Sequence, residues 1–132
     1  MSVAIVYWTQ TGNTETMANM LADACGGEII EWDGFSAAQV ANYDALAFGC
    51  PAMGDEELDP DFEQLWNDCK DALADKPVVL FGSYDWGTGD WMETWADDAR
   101  DAGINVVETV IANLEPDDEA EEALKAAAAK LA

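Results

Sequence analysis

Histidine is missing from this chain, and basic side chains are scarce. Because histidine is the commonest general base and metal ligand, its absence argues against most hydrolytic triads and zinc sites. Five Lys and Arg residues stand against 28 Asp and Glu residues, which gives a net charge of −23. Such a charge repels nucleic acid and anionic membrane surfaces, and it favours partners with basic surfaces. It also fits a protein kept soluble in high salt, and the sequence leaves both explanations open.

Cysteine is sparse as well, and no apolar run is long enough to cross a membrane. The three cysteines, Cys25, Cys50 and Cys69, form no Cys-x-x-Cys pair, which predicts buried thiols in a reducing compartment. The first residues carry no basic region typical of a signal peptide. No calcium-loop spacing of acidic residues occurs, so we predict no metal site. We therefore expect a cytoplasmic protein without membrane association.

The distinctive segment near the amino terminus is a polar loop between an apolar strand, residues 3–8, and an amphipathic helix, residues 15–25. Such a turn presents unpaired backbone N–H groups at the positive end of the helix dipole, which together favour an anion. Hydroxyl and amide side chains add neutral donors, so a phosphate monoester is the expected ligand. The loop consists of Thr9, Gln10, Thr11, Gly12, Asn13 and Thr14.

No basic side chain lies in this loop or elsewhere in the first half of the chain. This argues against a P-loop nucleotide site, which requires a Gly-Lys-Ser/Thr end and a magnesium partner. A simpler alternative is a helix N-cap at Asn13 or Thr14. A cap explains one or two of these residues but not three threonines, an asparagine and a glycine in one loop, so we favour the anion site.

Apolar strands alternate with helices along the whole chain. Strands are predicted at residues 3–8, 28–32, 44–49, 77–83 and 104–112, and helices at 15–25, 36–42, 59–73, 90–102 and 116–131. Ser36 is predicted to cap the second helix, and Asp59 the third, with Pro60 in its first turn. This alternation predicts an α/β fold with an open, doubly wound, five-stranded parallel sheet, because a barrel needs eight such units. No Pro- or Ser-rich linker interrupts the pattern, so residues 1–132 are predicted to form a single domain.

With the strand order 2-1-3-4-5, the loops after the first, third and fourth strands meet at the carboxyl edge, where such sheets bind ligands. The second loop offers a soft apolar side chain, a flexible glycine and carboxylates, from Ala52, Met53, Gly54, Asp55 and Glu56. The third loop is rich in aromatic side chains and contains Ser83, Tyr84, Asp85, Trp86, Gly87 and Trp91. One phosphate loop and two walls suited to a flat ring predict a site for a phosphorylated aromatic cofactor.

Structural roles are the alternatives for the large side chains in these walls. A lone methionine such as Met53 often fills a core. Trp91 stands at the start of a helix and alternatively packs inward, while Tyr84 and Trp86 alternatively support their loop. Trp66 and Trp95, at helical spacing with other apolar residues, are predicted to be buried.

Three segments resemble short-chain flavodoxins of the clostridial type. They are Thr-Gln-Thr-Gly-Asn-Thr-Glu after the first strand, Gly-Cys-Pro-Ala-Met-Gly-Asp-Glu after the third, and Phe-Gly-Ser-Tyr-Asp-Trp-Gly-Thr-Gly-Asp-Trp-Met after the fourth. The resemblance covers nearly the whole chain. It implies a flavodoxin-like fold, non-covalently bound FMN and an electron-transfer protein rather than an enzyme. Asp85 departs from the pattern, because glycine is usual at this position in the group.

The resemblance also implies a role for each loop. Residues 9–14 would hold the FMN phosphate, Met53 would lie against the inner face of the isoalloxazine ring, and Trp91 would stack on its outer face. The Gly54 carbonyl would accept a hydrogen bond from flavin N5–H, and Glu56 would accept one from N3–H. Backbone groups around Ala52, Asp55, Ser83 and Gly87 would line the rest of the site.

This assignment implies a low-potential one-electron carrier that shuttles between the semiquinone and hydroquinone forms of FMN. A hydrogen bond at N5 stabilises the one-electron state, and burial among carboxylates disfavours the reduced anion. The expected partners are redox proteins with basic docking surfaces, and the chain is expected to be a monomer.

Two other classes compete with the carrier. An FMN-dependent NAD(P)H or quinone reductase on the same fold would need room over the ring for a second planar substrate, and Trp91 argues against that room. A receiver-type signalling module needs an acidic pair after the first strand and an Asp after the third. This chain has Trp8-Thr9 and Gly49-Cys50 there, so the signalling module is disfavoured.

Overall fold

A computed structural model describes residues 2–10, 12–53, 57–74, 76–85 and 87–131. Its five strands form one sheet in the order β2-β1-β3-β4-β5, and all neighbouring strands pair in parallel. The strands are β1 (Val3–Tyr7), β2 (Glu28–Glu31), β3 (Ala45–Gly49), β4 (Pro77–Tyr84) and β5 (Asn105–Asn113). The predicted fold class and strand order are therefore confirmed.

Helices cover both faces of the sheet because the strands are apolar on both sides. They are α1 (Asn13–Cys25), α2 (Pro60–Cys69), α3 (Asp90–Asp101) and α4 (Asp118–Leu131). Alternate residues of β3 divide the core: Ala45 and Ala47 pack with α1 and α4, whereas Leu46 and Phe48 pack with α2 and α3. The three central strands are buried on both faces, which leaves their carboxyl ends as the place where polar loops gather.

The helix predicted at residues 36–42 is a 3₁₀ helix, Ala37–Asn42. Ser36 was expected to cap it, but the Ser36 hydroxyl donates to Gln39 Oε1 at 3.2 Å and makes no hydrogen bond to the helix backbone. A segment of this length supports few α-helical hydrogen bonds, so the tighter 3₁₀ form connects β2 to β3 instead.

The start of α2 follows the prediction. Asp59 is the N-cap, and its Oδ2 accepts hydrogen bonds from the N–H groups of Asp61 and Phe62 at 3.0 and 3.1 Å. Pro60 occupies the first turn, where its missing N–H costs nothing. The α-helix ends at Cys69 and is followed by a 3₁₀ turn, Lys70–Leu73. The α-helix is therefore shorter than the helix predicted over residues 59–73.

Edge-to-face aromatic contacts join α2, α3 and the sheet. The Trp66 ring lies 5.3 Å from the Phe48 ring and 5.6 Å from the Trp95 ring, and Phe62 lies 5.9 Å from Trp95. Such geometry suits the ring quadrupoles and contributes beyond simple area burial. The prediction that Trp66 and Trp95 are core residues is confirmed.

Among the residues that the structure describes, no helix has both the length and the apolar character needed to span a membrane.

Candidate functional site

The three predicted loops are tied together at the carboxyl edge of the sheet. The N–H of Trp8 donates to the Gly49 carbonyl at 2.9 Å, which joins the first loop to the end of β3. The N–H of Cys50 donates to Phe81 at 3.1 Å, and the N–H of Ala52 donates to Ser83 at 3.0 Å. These bonds continue the parallel pairing beyond the strands, so the loops start from a rigid base.

Gly12 shapes the first loop. It is the N-cap of α1 and adopts a left-handed conformation with φ 94°, which favours glycine over any other residue. Its N–H donates to Thr9 Oγ1 at 3.0 Å, and its carbonyl accepts from the N–H of Thr16 at 3.0 Å. Among the described residues, no side chain caps this helix. The N-cap is Gly12, so the alternative of an N-cap at Asn13 or Thr14 is wrong, and a cap does not account for the polar side chains of this loop.

Thr14, one of the predicted phosphate residues, has its side chain inside the protein. The side chain is fully buried, and Oγ1 lies 3.1 Å from Ser83 Oγ and accepts from the Ser83 N–H at 3.3 Å. The hydroxyl thus links the first turn of α1 to the end of β4. Gln10 is exposed and Asn13 is half-buried, so both lie near the loop surface, whereas Thr11 lies outside the described residues.

The second loop is closed by an isolated antiparallel bridge. Met53 and Glu57 exchange both backbone hydrogen bonds, each at 2.8 Å. Ala52 and Met53 are half-buried and Glu57 is exposed. The bridge fixes the two ends of the segment that contains Gly54, Asp55 and Glu56, and those three predicted site residues lie outside the described part of the chain.

The Trp91 side chain is buried where the third loop meets α3. Its side chain is 2 % exposed, its ring centroid lies 5.6 Å from that of Tyr84, and its Nε1–H donates to the Cys50 carbonyl at 3.4 Å. Trp91 therefore joins the third loop to the end of β3, and Tyr84 supports it. Gly87, with φ 97°, and the exposed Asp85 belong to the same loop, whereas Trp86 lies outside the described residues.

Two residues that the sequence analysis missed hold the third loop in place. The side-chain amide of Asn113 donates to the carbonyls of Tyr84 and Asp85, both at 3.2 Å. The N–H of Leu114 donates to the Tyr84 carbonyl at 2.7 Å. The available signal was slight: an asparagine at the end of the last predicted strand, far in sequence from the loop that it contacts.

The electrostatic surroundings of the three loops are acidic or neutral. Lys70 and Lys130 pair with Asp98 and Glu108 at 3.0 and 2.8 Å, and Lys125 and Arg100 lie on helices α4 and α3. Lys76 donates to the Tyr43 carbonyl next to the amino end of β4. None of the five basic residues belongs to the three loops, so an anion bound there would be held by neutral donors.

Tyr7, the last residue of β1, donates its hydroxyl to Glu15 Oε2 at 2.9 Å and to Glu31 Oε1 at 3.4 Å. Burial, reinforced by these carboxylates, raises the pKa of Tyr7 well above its ordinary value of 10.0. Tyrosine in the unfolded chain ionises at about pH 10 while folded Tyr7 stays protonated, so this contribution to stability is complete below that pH and is lost as pH rises towards the folded pKa.

We expect Tyr7→Phe to flatten the fall in the free energy of unfolding above about pH 10, measured by urea titration. An equal alkaline fall in wild type and variant would contradict this account.

Cys50 borders the site as a buried thiol. Burial raises the pKa of Cys50 to about 12, so it stays protonated and is a poor nucleophile near neutral pH. Cys25, Cys50 and Cys69 are all free thiols.

A doubly wound parallel sheet, with a polar loop and an aromatic loop at its carboxyl edge, places the chain in the class of open α/β folds, which bind ligands at that edge. The family model described as flavodoxin matches residues 5–129. A flavodoxin of Megasphaera elsdenii is 43% identical over 121 residues, covering 87% of this chain and 88% of the relative. One of Clostridium beijerinckii is 40% identical over 121 residues, covering 86% and 88%. The solution structure of two-electron reduced Megasphaera elsdenii flavodoxin superposes with a TM-score of 0.88 at 42% identity, covering 96% of this chain and 98% of that one.

This chain belongs to the flavodoxin family. Flavodoxins bind FMN, carry electrons between redox partner proteins and are not enzymes. The resemblance to flavodoxins, the FMN cofactor and the electron-transfer class are thereby confirmed.

Proposed function

We propose that this chain is a cytoplasmic, monomeric one-electron carrier whose residues 1–132 form one domain around non-covalently bound FMN. We further propose that it works at low potential, between the semiquinone and hydroquinone forms of the cofactor. The observation that carries the proposal is the uncapped amino terminus of α1 behind Gly12, at the same edge as the aromatic third loop. FMN, when bound, supplies the ability to accept and give up single electrons.

The first loop is proposed to bind the phosphate. Its donors are the first-turn N–H groups of α1, with neutral side chains around them, and Gly12 gives the backbone the close approach that a phosphate needs. The proposed phosphate residues are Thr9, Gln10, Thr11, Gly12, Asn13 and Thr14. Thr14 contributes its backbone N–H, because its hydroxyl is bonded to Ser83.

The second and third loops are proposed to hold the ring. Trp91 is fixed by its ring contact with Tyr84 and by its hydrogen bond to the Cys50 carbonyl, which supports it as a rigid wall. Met53 lies at one end of the segment that the bridge closes, and its backbone pairs with that of Glu57 at the other end. The remaining proposed ring contacts are Ala52, Gly54, Asp55, Glu56, Ser83, Asp85, Trp86 and Gly87.

The charge distribution supports a low potential. Adding electrons to the bound cofactor adds negative charge, and this chain offers exposed carboxylates such as Asp85 and Glu57 near the site and no basic residue in its three loops. An apolar, acidic environment disfavours that added charge. The same carboxylates are proposed to form a docking rim for redox partners with basic surfaces.

The deciding experiment is a visible absorption spectrum of the FMN-loaded protein during stepwise dithionite reduction, with free FMN as the control. A yellow protein that passes through a blue, long-wavelength intermediate, absent from the control, supports the one-electron carrier. A yellow protein that bleaches in one step overturns the one-electron assignment in favour of a two-electron reductase. A colourless protein that takes up no added FMN overturns the site as a whole.

A further inference from the structure

The carboxyl end of β5 is hydrogen-bonded to the start of the third loop, where Asn113 pairs with Tyr84 of β4. The Asn113 side-chain amide donates to the Tyr84 and Asp85 carbonyls at 3.2 Å each, and the Leu114 N–H donates to the Tyr84 carbonyl at 2.7 Å. We name these two donor groups the β5 clamp. Two successive carbonyls of the loop are thus directed towards β5, just before the chain enters Trp86 and Gly87.

The clamp includes a strained backbone. Leu114 has φ 61°, the one positive φ at a non-glycine residue in the described part of the chain. Its side chain is 51 % exposed, so burial of the leucine does not explain the conformation. A leucine is held in the left-handed region only where its surroundings demand it, and this turn directly follows the 2.7 Å bond from the Leu114 N–H to the Tyr84 carbonyl.

The clamp also borders the first loop. Asn113, Leu114 and Glu115 line an open cleft of about 640 Å³ together with Asn13 of α1. The β5 clamp therefore contacts the third loop and shares a cleft with the start of α1, at the carboxyl edge of the sheet.

We propose that Asn113 is a positioning residue for the flavin ring: through Tyr84 and Asp85 it fixes the backbone of the third loop in the form that receives the isoalloxazine. The inference rests on the proposed FMN site. Because the Tyr84 and Asp85 carbonyls are bonded to the β5 clamp, they do not turn towards the ring. The third loop is also ordered before the flavin binds, so binding costs less conformational entropy. It acts on the ring end of the cofactor and leaves the phosphate contacts alone.

Asn113→Asp tests the clamp, because it keeps the shape of the side chain and removes both N–H donors. Asn105→Asp is the matched control: it makes the same charge change at the opposite, amino end of the same strand. The dissociation constants of FMN and of riboflavin, which lacks the phosphate, are measured by flavin fluorescence titration of the apoproteins. In Asn113→Asp we expect the riboflavin constant to rise about tenfold and the FMN constant at least as much, because the new carboxylate shares a cleft with Asn13 of the phosphate loop. Both constants should stay unchanged in Asn105→Asp.

Asn113→Ala removes the amide without adding charge, so it should raise the dissociation constants of FMN and riboflavin by the same factor. Its far-ultraviolet circular dichroism should stay that of wild type. Weakening of FMN binding alone would overturn the proposal, because it would locate the effect at the phosphate. Unchanged constants, or global unfolding of both Asn113 variants while Asn105→Asp folds, would overturn it too. If the wild-type protein bound neither flavin, the proposed function itself would fail. If the wild type bound both flavins and an Asn113 variant bound them equally well, only the positioning role of Asn113 would fail.

Discussion

Gly82→Ala is expected to lower the free energy of unfolding by about 3 kcal/mol, the upper end of the usual cost of overpacking. A Cβ at this position would lie 2.1 Å from the Cys50 carbonyl oxygen and 3.2 Å from Trp91 Cζ2. The first contact is with backbone, so no side-chain rotation relieves it. The strands β3 and β4 would have to separate where their loops leave the sheet.

The consequence extends to the site, because the Cys50 carbonyl also accepts from Trp91 Nε1. Displacing that carbonyl removes the fixed partner of Trp91, so FMN affinity should fall together with stability. Urea unfolding followed by circular dichroism measures the first effect, and flavin fluorescence titration measures the second.

Gly34→Ala is the control for this substitution. The nearest atom to a Cβ at Gly34 is Ile30 Cγ2 at 3.8 Å, an ordinary contact, so the change should stay within about 0.5 kcal/mol of wild type. If Gly82→Ala cost no more than Gly34→Ala, the close approach of β4 to the Cys50 carbonyl would not be a constraint on this fold.

Local information explains what the sequence could predict. The carboxyl-edge position of the three loops follows from apolar strands alternating with helices, and the Asp59-Pro60 start of α2 is encoded within four residues. The resemblance of the loops to flavodoxins identified the FMN cofactor for the same reason, because each motif is contiguous in sequence.

Long-range contacts explain what the sequence could not predict. The Thr14 hydroxyl is a plausible phosphate donor in isolation, yet its partner Ser83 is 69 residues away. Asn113 contacts the third loop across 29 residues, and nothing in its neighbourhood marks it as more than the end of a strand. Sequence periodicity also could not decide whether Trp91 faces a ligand or the core, since the first turn of α3 borders both.

Electron transfer to a basic protein acceptor is expected to slow about 10- to 100-fold when the ionic strength rises from about 0.01 M to about 1 M. The net charge of −23 attracts a cationic partner over the long Debye length of dilute salt, and this attraction is screened in concentrated salt. Stopped-flow oxidation of the reduced, FMN-loaded protein by cytochrome c, a basic acceptor, measures the rate constant. A neutral small-molecule oxidant of similar driving force is the control and should show little salt dependence.

Net charge alone and a docking rim make different predictions for single substitutions. Glu57→Gln and Glu122→Gln each remove one charge, so long-range attraction falls equally in both. Glu57 ends the second loop at the carboxyl edge, whereas Glu122 lies on α4 and is 76% exposed, with only a 3.7 Å pair to Lys125. If basic partners dock at the loops, Glu57→Gln slows transfer at low salt several-fold more than Glu122→Gln, because short-range pairs add to the mean attraction. Equal slowing by the two variants would contradict the docking rim. It would mean that the net charge attracts basic partners without directing them to this edge.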